Sequence, residues 1–294
     1  VVENPTLRCV REGAARCSRW GAAGIIALGG GSVLDAAKAM AAEAGVRLLV
    51  AVPTTAGTGS EISSWSVITD TAAREKLSLR TRAPDLAVLD PELTASMPAE
   101  LTLFTGIDAF AHAVEGYLSR EAGSVTDAFA LAATELIREC LPRVVERPRD
   151  LRAREGMLEA SFLAGAAMMH CGLGLIHAIA NTVGGYYHHL AHGRVIAHLF
   201  AAVTRFNREA CAARYGRVEG AIRTVQDIYE RESERLGLGK LSIPNDDIPE
   251  LAARGSRNLN ARTNPRDFTE GDVQGILRES FQVVEDRGRG TGPR

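Results

Sequence analysis

Cysteine is scarce in this chain, and its spacing excludes the common sites built from thiolates. The five cysteines are odd in number and no two of them form a C-x-x-C pair; they are Cys9, Cys17, Cys140, Cys171 and Cys211. This is neither the framework of a disulfide-rich secreted domain nor a cluster of sulfur ligands for zinc. The pattern favours a reducing compartment, and we expect a cytoplasmic protein.

Long hydrophobic runs and an excess of charge of one sign are also missing. No apolar stretch is long enough to cross a bilayer, and no signal peptide is visible. The 34 basic and 36 acidic side chains leave a net charge of −2, so no basic field attracts nucleic acid or a membrane surface. We therefore expect no nucleic-acid partner and no membrane partner.

The chain does not begin with methionine. Its first residues, VVENPT, read like the middle of a domain, so we expect the native protein to carry residues upstream of Val1. The 294 residues present, 46% of them hydrophobic, are enough to bury the cores of two domains.

Strand and helix patterns alternate over roughly the first ninety residues. Four short apolar runs read as strands, at residues 24–28, 47–53, 66–70 and 86–91. Between the first two, residues 33–45 carry apolar side chains at helical spacing and end at a glycine. Strand, helix and strand at this spacing imply a parallel sheet, so residues 1–94 are predicted to form an α/β lobe.

Helical periodicity dominates after Pro98. The nearly apolar stretch 159–183 reads as one long helix that stops at Gly184. Residues 95–294 are therefore predicted to form an all-α lobe, with a disordered tail at 287–294.

A last helix is predicted to begin after Thr269. This residue, with Asp272 three positions later, has the pattern of a capping box, and the helix is expected to end near Phe281. The active site of two such lobes is expected in the cleft between them.

Histidine is concentrated in one part of the chain. Six of the seven histidines lie within residues 170–198, and the seventh, His112, follows Asp108 by four positions. Residues i and i+4 share one face of a helix, and Asp and His are the ligands of divalent transition metals where no thiolate is offered. With His177 and His192 added from a second helix and the loop beyond it, four side chains could hold one ion. The alternative is a set of ordinary core and solvated histidines.

Two small polar segments follow successive predicted strands. The turn at 29–32, GGGS, joins a strand to a helix, where backbone amides favour an anion such as a pyrophosphate. The loop at 53–61, PTTAGTGSE, offers hydroxyl groups and glycines that suit a phosphate or a ribose. Open α/β sheets bind ligands at this edge, although each segment could also be a plain connection. Lys76 could reach a ribose, but its spacing alone favours a solvated lysine.

These residues add up to a family resemblance. Six segments, taken in order, resemble the iron-containing (group III) alcohol dehydrogenases. They are GGGSVLDAAKA, PTTAGTGSE, LAVLDPELTASMP, TGIDAFAHAVEGY, GLGLIHAIANTVGGYYHHLAHG and NPRDFT. The fold of that family is shared with dehydroquinate synthase and glycerol dehydrogenase. The resemblance extends from Asn4 to about Phe281; PTTAGTGSE and the D-x-x-x-H-A-x-E element are specific to the group, whereas GGGS is not.

The resemblance implies a fold, a reaction and a set of site residues. It implies a partial Rossmann-like dinucleotide-binding lobe followed by a helical metal-binding lobe, and hydride transfer between NAD or NADP and a small alcohol or aldehyde. The metal would be Fe²⁺, or alternatively Zn²⁺, and a homodimer or larger homo-oligomer is expected. The implied metal ligands are Asp108, His112, His177 and His192. The implied cofactor contacts are Gly30, Gly31 and Ser32 at the pyrophosphate, Thr54, Thr55 and Thr58 at the nucleotide, and Lys76 at the ribose.

The chain departs from the family pattern at several places. The family's first strand, its glycine turn and the residue that selects NAD or NADP have no counterpart here. Asn181 stands where relatives commonly have a proton-relaying histidine, and Asn cannot titrate. Either His188 or His189 is then expected to pass protons to solvent. His189 and His192 are both possible fourth ligands, and we prefer His192 because Gly193 follows it as in the family motif.

Two other functions remain open from the sequence. One is a lyase of the dehydroquinate synthase type, or a glycerol dehydrogenase-like enzyme, sharing fold, metal and NAD. The other is a truncated, non-catalytic remnant with an exposed sheet edge and exposed apolar surface. The loop PTTAGTGSE and the lack of clustered basic residues speak against the lyase.

Overall fold

The α/β part comes first along the chain, as predicted. The computed structural model describes residue 1 and residues 4–73 and 75–285, so the tail predicted to be disordered lies outside the described residues. The elements of this part are α1 (Leu7–Trp20), β1 (Gly24–Gly29), α2 (Gly31–Ala44), β2 (Leu48–Pro53), β3 (Trp65–Asp70), β4 (Glu75–Arg80) and β5 (Leu86–Ala87).

A parallel sheet in the order β1-β2-β5 forms the base of this part. Strands β1 and β2 pair in register from Gly24 opposite Leu48 to Gly29 opposite Pro53, with α2 as the crossover helix. The core between helix and sheet consists of small and branched side chains, namely Ala27, Leu34, Ala37, Ala41, Val46, Leu49 and Ala51. Both predicted ligand-binding segments therefore leave the same edge of the sheet, and the Thr54 amide donates to the Gly29 carbonyl at 3.0 Å.

The opposite face of this sheet is uncovered in the described chain. Because side chains alternate along a strand, Ala27 faces α2 while its neighbours Ile26 and Leu28 face away. Ile26 is 74% exposed, and Leu48 and Leu86 on the adjoining strands are also exposed.

The expectation that residues 66–70 belong to the parallel sheet is wrong. Strand β3 instead forms an antiparallel hairpin with β4, which the sequence did not reveal. The reason is connection length: Asp70 and Glu75 are paired residues only a few positions apart, and a parallel crossover needs a dozen or more residues. The Asp70 carboxylate holds the tight turn by accepting from the amides of Ala72 at 2.9 Å and Ala73 at 3.1 Å.

The second part is helical and confirms the predicted fold class. Its helices are α3 (Ala99–Leu118), α4 (Ser124–Glu146), α5 (Leu151–Cys171), α6 (Leu175–Tyr186), α7 (His192–Asn207), α8 (Ala212–Arg235), α9 (Ile248–Arg257) and α10 (Glu270–Ser280). Two short parallel strands, β6 (Ser242–Pro244) and β7 (Gln282–Val284), are the exception to its all-α character. The predicted capping box is confirmed, since the Thr269 hydroxyl accepts from the Asp272 amide at 3.2 Å and the Asp272 carboxylate from the Thr269 amide at 2.7 Å.

Helix α3 is the centre of this part. It is buried along nearly its whole length and packs against α4, α5 and α7, which explains why its sequence has so little polar surface. Several polar side chains on this helix are buried as well, including Asp108, His112 and Glu115.

The prediction of one helix over residues 159–183 is wrong. The stretch is two helices, α5 and α6, that are bent by 98° at the break between them. The break is made by Gly172, whose φ of 72° is a left-handed conformation that favours glycine, and by Gly174, the N-cap of α6. Both helices are apolar because both are buried, so hydropathy alone could not reveal the bend. None of the described helices is by itself long and apolar enough to span a bilayer; only this bent pair reaches that length and composition together.

Candidate metal centre and nucleotide-binding edge

Helix α3 contributes the first two candidate ligands. Asp108 and His112 are one turn apart on the same face, and both are buried, with 3% and 5% of their surface exposed. The Nε2 atom of His112 lies 3.9 Å from Oδ1 of Asp108.

Helices α6 and α7 bring the other two ligands to the same carboxylate oxygen. His177, near the start of α6, places Nε2 at 3.3 Å from Asp108 Oδ1, and His192, the first residue of α7, places Nε2 at 3.8 Å. The candidate ligand atoms of Asp108, His177 and His192 all lie within 4.8 Å of one another, and the ring of His112 stacks on that of His177 with centroids 4.2 Å apart. The structure thus brings all four predicted side chains together, and His189 is not one of them.

The hydrogen-bond partner of Nδ1 on each imidazole ring determines whether Nε2 of that ring can bind a metal ion. His112 Nδ1 is 3.2 Å from the Gly57 carbonyl, and His177 Nδ1 is 2.6 Å from the Glu115 carboxylate. Both partners are hydrogen-bond acceptors, so each Nδ1 carries a hydrogen, and Nε2 is the nitrogen of each ring that a metal ion at the centre would bind. Nδ1 of His192 is buried with no hydrogen-bond partner among the described residues.

Glu115 is the member of the site that the sequence reasoning missed. Its signal was present, because it follows His112 by three positions and Asp108 by seven and so lies on the same helical face.

Electrostatics favour ionised Asp108 beside two neutral imidazoles. Burial alone would raise the pKa of Asp108, but the charges of the surrounding histidines and the hydrogen bond from His177 outweigh it and hold that pKa below its usual value. Burial lowers the pKa of His112 to about 4 and that of His192 to about 3. Although burial opposes it, hydrogen bonds to Asp108 and Glu115 raise the pKa of His177 to about 9.

The donor set fits a divalent first-row transition metal. Three imidazole nitrogens and one carboxylate oxygen, with no thiolate, suit Fe²⁺ and would also accept Zn²⁺. The ligand atoms of Asp108, His177 and His192 lie within 4.8 Å of one another, and the ionised carboxylate supplies the negative charge that a cation needs there.

The two small polar segments form the candidate nucleotide-binding edge. A Cβ atom on Gly31 would lie 2.5 Å from Cγ2 of Thr58, so the loop after β2 lies directly against the backbone of the glycine turn. Thr55 lies beside Gly30 in the same way. The turn opens α2, whose first amides have no partners within the helix and are available to an anion. Ser32 in this first turn is half-buried, and its hydroxyl accepts from the Asn4 amide at 3.2 Å.

A buried ion pair fastens the polar loop to α2. Lys38 is fully buried, and its Nζ lies 3.0 Å from Oδ1 of Asp35. The same ammonium group donates to the carbonyls of Ser63 and Trp65, while Asp35 accepts from the Ser60 hydroxyl at 2.5 Å. The loop is therefore held in place by the Asp35 and Lys38 side chains of α2 as well as by its contact with the glycine turn.

Lys76 is not the solvated lysine that its spacing favoured. It lies in β4, is 9% exposed, and has its Nζ 3.2 Å from the point where a Cβ on Gly184 of α6 would stand. It lines a cavity of about 270 Å³ together with Asn181, which follows His177 by one turn of α6. The structure thus places Lys76 beside the metal-centre helix, which sequence spacing could not indicate.

His188 and His189 lie elsewhere. Both are exposed in the turn between α6 and α7; the His188 carbonyl accepts from the Asn4 side chain at 3.4 Å, and the ring of His189 lies 6.3 Å from that of Tyr187. The structure does not bring them into the ligand cluster.

Comparison with known proteins identifies a family. Residues 1–91 match the family model described as iron-containing alcohol dehydrogenase, and residues 102–281 match the model of the C-terminal part of the Fe-containing alcohol dehydrogenase family. The NAD-dependent methanol dehydrogenase of Bacillus methanolicus is 35% identical over 279 residues, covering 88% of this chain and 73% of the relative. The probable alcohol dehydrogenase EutG of Escherichia coli (strain K12) is 37% identical over 305 residues, covering 94% and 77%.

Solved structures lead to the same family. The crystal structure of a 1,3-propanediol oxidoreductase superposes with a TM-score of 0.86 at 33% identity, covering 96% of this chain and 83% of the other. The archaeal alcohol dehydrogenase ADH/D1 from a Red Sea brine pool superposes with a TM-score of 0.87 at 28% identity, with the same two coverages. These matches confirm the predicted fold, and the chain belongs to the iron-containing alcohol dehydrogenase family.

Proposed function

We propose that this protein is an iron-dependent alcohol dehydrogenase that transfers a hydride between NAD and a small alcohol or aldehyde. The observation that carries the proposal is the convergence of four donor side chains beside the loop that forms the nucleotide-binding edge. The two sites are joined directly, because the Gly57 carbonyl of that loop is 3.2 Å from Nδ1 of His112.

Asp108, His112, His177 and His192 are the proposed ligands of a divalent iron, with Zn²⁺ as the alternative. Once a bound ion has displaced the proton from His177, three neutral imidazoles and one carboxylate would leave a net positive charge on the ion. Such an ion supplies Lewis acidity toward an alcohol or carbonyl oxygen. The side chains themselves fix where that oxygen is held, and the buried walls of α3 and α6 keep bulk water away from it.

The nucleotide-binding edge is the proposed site of the cofactor. Gly30, Gly31 and Ser32 would hold the pyrophosphate at the start of α2, where the helix dipole favours negative charge. Thr54, Thr55 and Thr58 would contact the nucleotide, and Lys76 would donate to a ribose hydroxyl from its position beside α6. NAD rather than NADP is supported by the NAD dependence that the name of the Bacillus methanolicus relative states.

The substrate is proposed to be a small uncharged alcohol. Relatives at 33–35% identity are named for methanol, 1-propanol and 1,3-propanediol, whereas the relative named for choline, which is a cation, is 32% identical. The alternative of a dehydroquinate synthase-type lyase has no such support, since each relative named here is a dehydrogenase.

The proton released by the alcohol needs a route to solvent. Asn181 cannot carry it, since an amide does not titrate in the physiological range. His188 and His189 are the proposed carriers, because they are exposed in the turn between the two helices that supply His177 and His192.

Three wider properties are proposed on the same basis. The division into a cofactor domain at 1–94 and a metal domain at 95–294 is supported by the change from strands to helices between β5 and α3. A cytoplasmic location is supported by the five free thiols. A homodimer or larger homo-oligomer stays an expectation, which light scattering would test.

The experiment is a spectrophotometric assay of reduced nicotinamide with short primary alcohols, on protein loaded with Fe²⁺. We expect alcohol-dependent reduction of NAD that disappears with chelator and in His177→Ala. His170→Ala is the matched control, because this histidine is exposed at the end of α5, and it should retain activity. No turnover with any short alcohol in the loaded protein, or equal activity in His177→Ala, contradicts the proposal.

A further inference from the structure

Glu115 joins two elements of the metal centre with its two carboxylate oxygens. It lies on α3, is 4% exposed, and contacts the start of α6 with these atoms. Oε1 accepts from the amide of Ile176 at 2.6 Å, and Oε2 is 2.6 Å from Nδ1 of His177. One carboxylate thus reaches both the backbone that carries a candidate ligand and the ring of that ligand.

The first contact replaces a missing helix cap. The N-cap of α6 is Gly174, which has no side chain, so the first amides of the helix need acceptors from elsewhere. Glu115 serves Ile176, and the Asn264 side chain serves Leu175 at 3.3 Å. A Cβ atom on Gly174 would lie 2.7 Å from Oε1 of Glu115, so the carboxylate is seated directly on the helix start. A negative charge at this end also agrees with the helix dipole.

The second contact fixes the tautomer of His177. An ionised carboxylate only accepts hydrogen bonds, so the Nδ1 atom that faces it must carry the hydrogen. Nε2, which lies 3.3 Å from Asp108 Oδ1, is then the nitrogen that a metal ion would bind in place of the proton that His177 holds there. Metal-binding histidines are commonly oriented in this way by a carboxylate outside the ligand set.

We propose that Glu115 is a positioning residue that sets the metal affinity of the centre through His177. It holds the start of α6 in place and keeps the Nε2 lone pair of His177 directed at the ion, without being a ligand itself. The inference rests on the proposed function, in that Asp108, His112, His177 and His192 are taken as the ligands.

Glu115→Gln isolates this role with almost no change of volume. Both partners of Glu115 are donors, whereas an amide has only one acceptor oxygen. If that oxygen stays on the Ile176 amide, the amide nitrogen faces His177 and stabilises the tautomer with its hydrogen on Nε2, which cannot bind a metal. If the side-chain amide of the Glu115→Gln variant instead rotates to place its oxygen toward His177, its N–H group faces the N–H group of Ile176 at the helix start.

The test is a Co²⁺ titration of the metal-free protein, followed by the visible absorption bands that report the coordination of the ion. Glu115→Gln is expected to bind Co²⁺ about 10–100-fold more weakly than the unchanged protein, with altered bands. Asn264→Ala is the matched control, because Asn264 caps the same helix end at Leu175 without contacting His177. It is expected to lower the unfolding temperature while the Co²⁺ affinity of the folded protein is kept.

The outcomes separate this inference from the proposed function. If the unchanged protein binds no Co²⁺, the proposed metal centre is wrong and the inference falls with it. If the unchanged protein binds Co²⁺ and Glu115→Gln matches its affinity and bands, the inference alone is overturned. It is also overturned if Asn264→Ala weakens Co²⁺ binding as much as Glu115→Gln does, since helix placement would then explain both.

Glu115→Asp covers the case in which Glu115→Gln does not fold. It keeps two acceptor oxygens on a shorter side chain, so it is expected to bind Co²⁺ with bands like those of the unchanged protein and with reduced affinity. Unreduced affinity in this variant contradicts the inference.

Discussion

Replacing Gly57 by alanine should separate the nucleotide loop from the metal centre. Gly57 lies between Thr55 and Thr58, and its carbonyl is 3.2 Å from Nδ1 of His112. A Cβ atom built on it would lie 2.8 Å from Cβ, 2.9 Å from the carbonyl oxygen and 3.1 Å from Cα of Thr105 on α3. Two of these three atoms belong to the helix backbone and cannot rotate away.

The size of the effect follows from these distances. Ordinary contact begins near 3.4 Å, so the loop must retreat from Thr105 by about 0.5 Å. The hydrogen bond to His112, already 3.2 Å long, would then exceed the range in which such bonds hold. Forcing a methyl group into a filled site costs about 1–3 kcal/mol of stability. Losing the acceptor that orients a ligand weakens metal binding by about 10–100-fold.

Two measurements on the same samples test this reasoning. Urea unfolding gives the change in stability, and titration with Fe²⁺ against a competing chelator gives the change in metal affinity. Gly216→Ala is the matched control, because Gly216 is exposed on α8 with nothing within 4 Å of its added Cβ. This control should stabilise the protein by up to about 1 kcal/mol with no change in metal binding.

The reasoning is refuted if Gly57→Ala changes stability with the same sign as Gly216→Ala. It is also refuted if Gly57→Ala binds Fe²⁺ as tightly as the unchanged protein.

Two further predictions follow from buried and exposed titratable groups. Burial raises the pKa of Glu61 from 4.5 to about 7, so between these values the unfolded chain loses a proton that the folded chain keeps, and stability falls as pH rises. The free energy of unfolding should fall by about 3 kcal/mol between about pH 4.5 and about pH 8, as measured by urea unfolding. Glu61→Gln should abolish this fall. An equally steep fall in that variant would contradict the assignment of the pH dependence to Glu61. His188→Ala combined with His189→Ala should slow turnover and change the pH–rate profile, because both proposed proton carriers are then removed; an unchanged profile would rule them out as proton carriers.

The cluster of candidate ligand residues could be predicted because its members are tied to local periodicity and to specific motifs. Asp108 and His112 needed only helical spacing, and the approach of His177 and His192 was implied by the family resemblance. No local sequence pattern indicated the hydrogen bonds that surround these candidate ligands. The Gly57 carbonyl and the Glu115 carboxylate act across long sequence separations, which appear only once α3, α6 and the loop after β2 are packed together.

The errors in the predicted fold have physical causes of the same kind. The stretch 159–183 is apolar on every side because both halves are buried, so periodicity could not separate α5 from α6. The glycines at the break were the available signal. The apolar pattern of residues 66–70 predicts strand β3, but the direction of its partner depends on the short turn at Asp70, which imposes antiparallel pairing.

Lys76 shows the limit of spacing as an argument. In the sequence it is one lysine in a polar stretch, and such side chains are usually solvated. Its burial follows from the hairpin of β3 and β4 packing against α6, a contact between elements more than a hundred residues apart in the chain.

The iron content of the purified protein tests the central claim most directly. Protein loaded with Fe²⁺ without oxygen and then desalted is expected to hold about one iron per chain. Asp108→Asn and His177→Ala should each fold, as judged by circular dichroism, and retain almost none. Full iron content in both variants would contradict the account, because the ion would then be held by other residues.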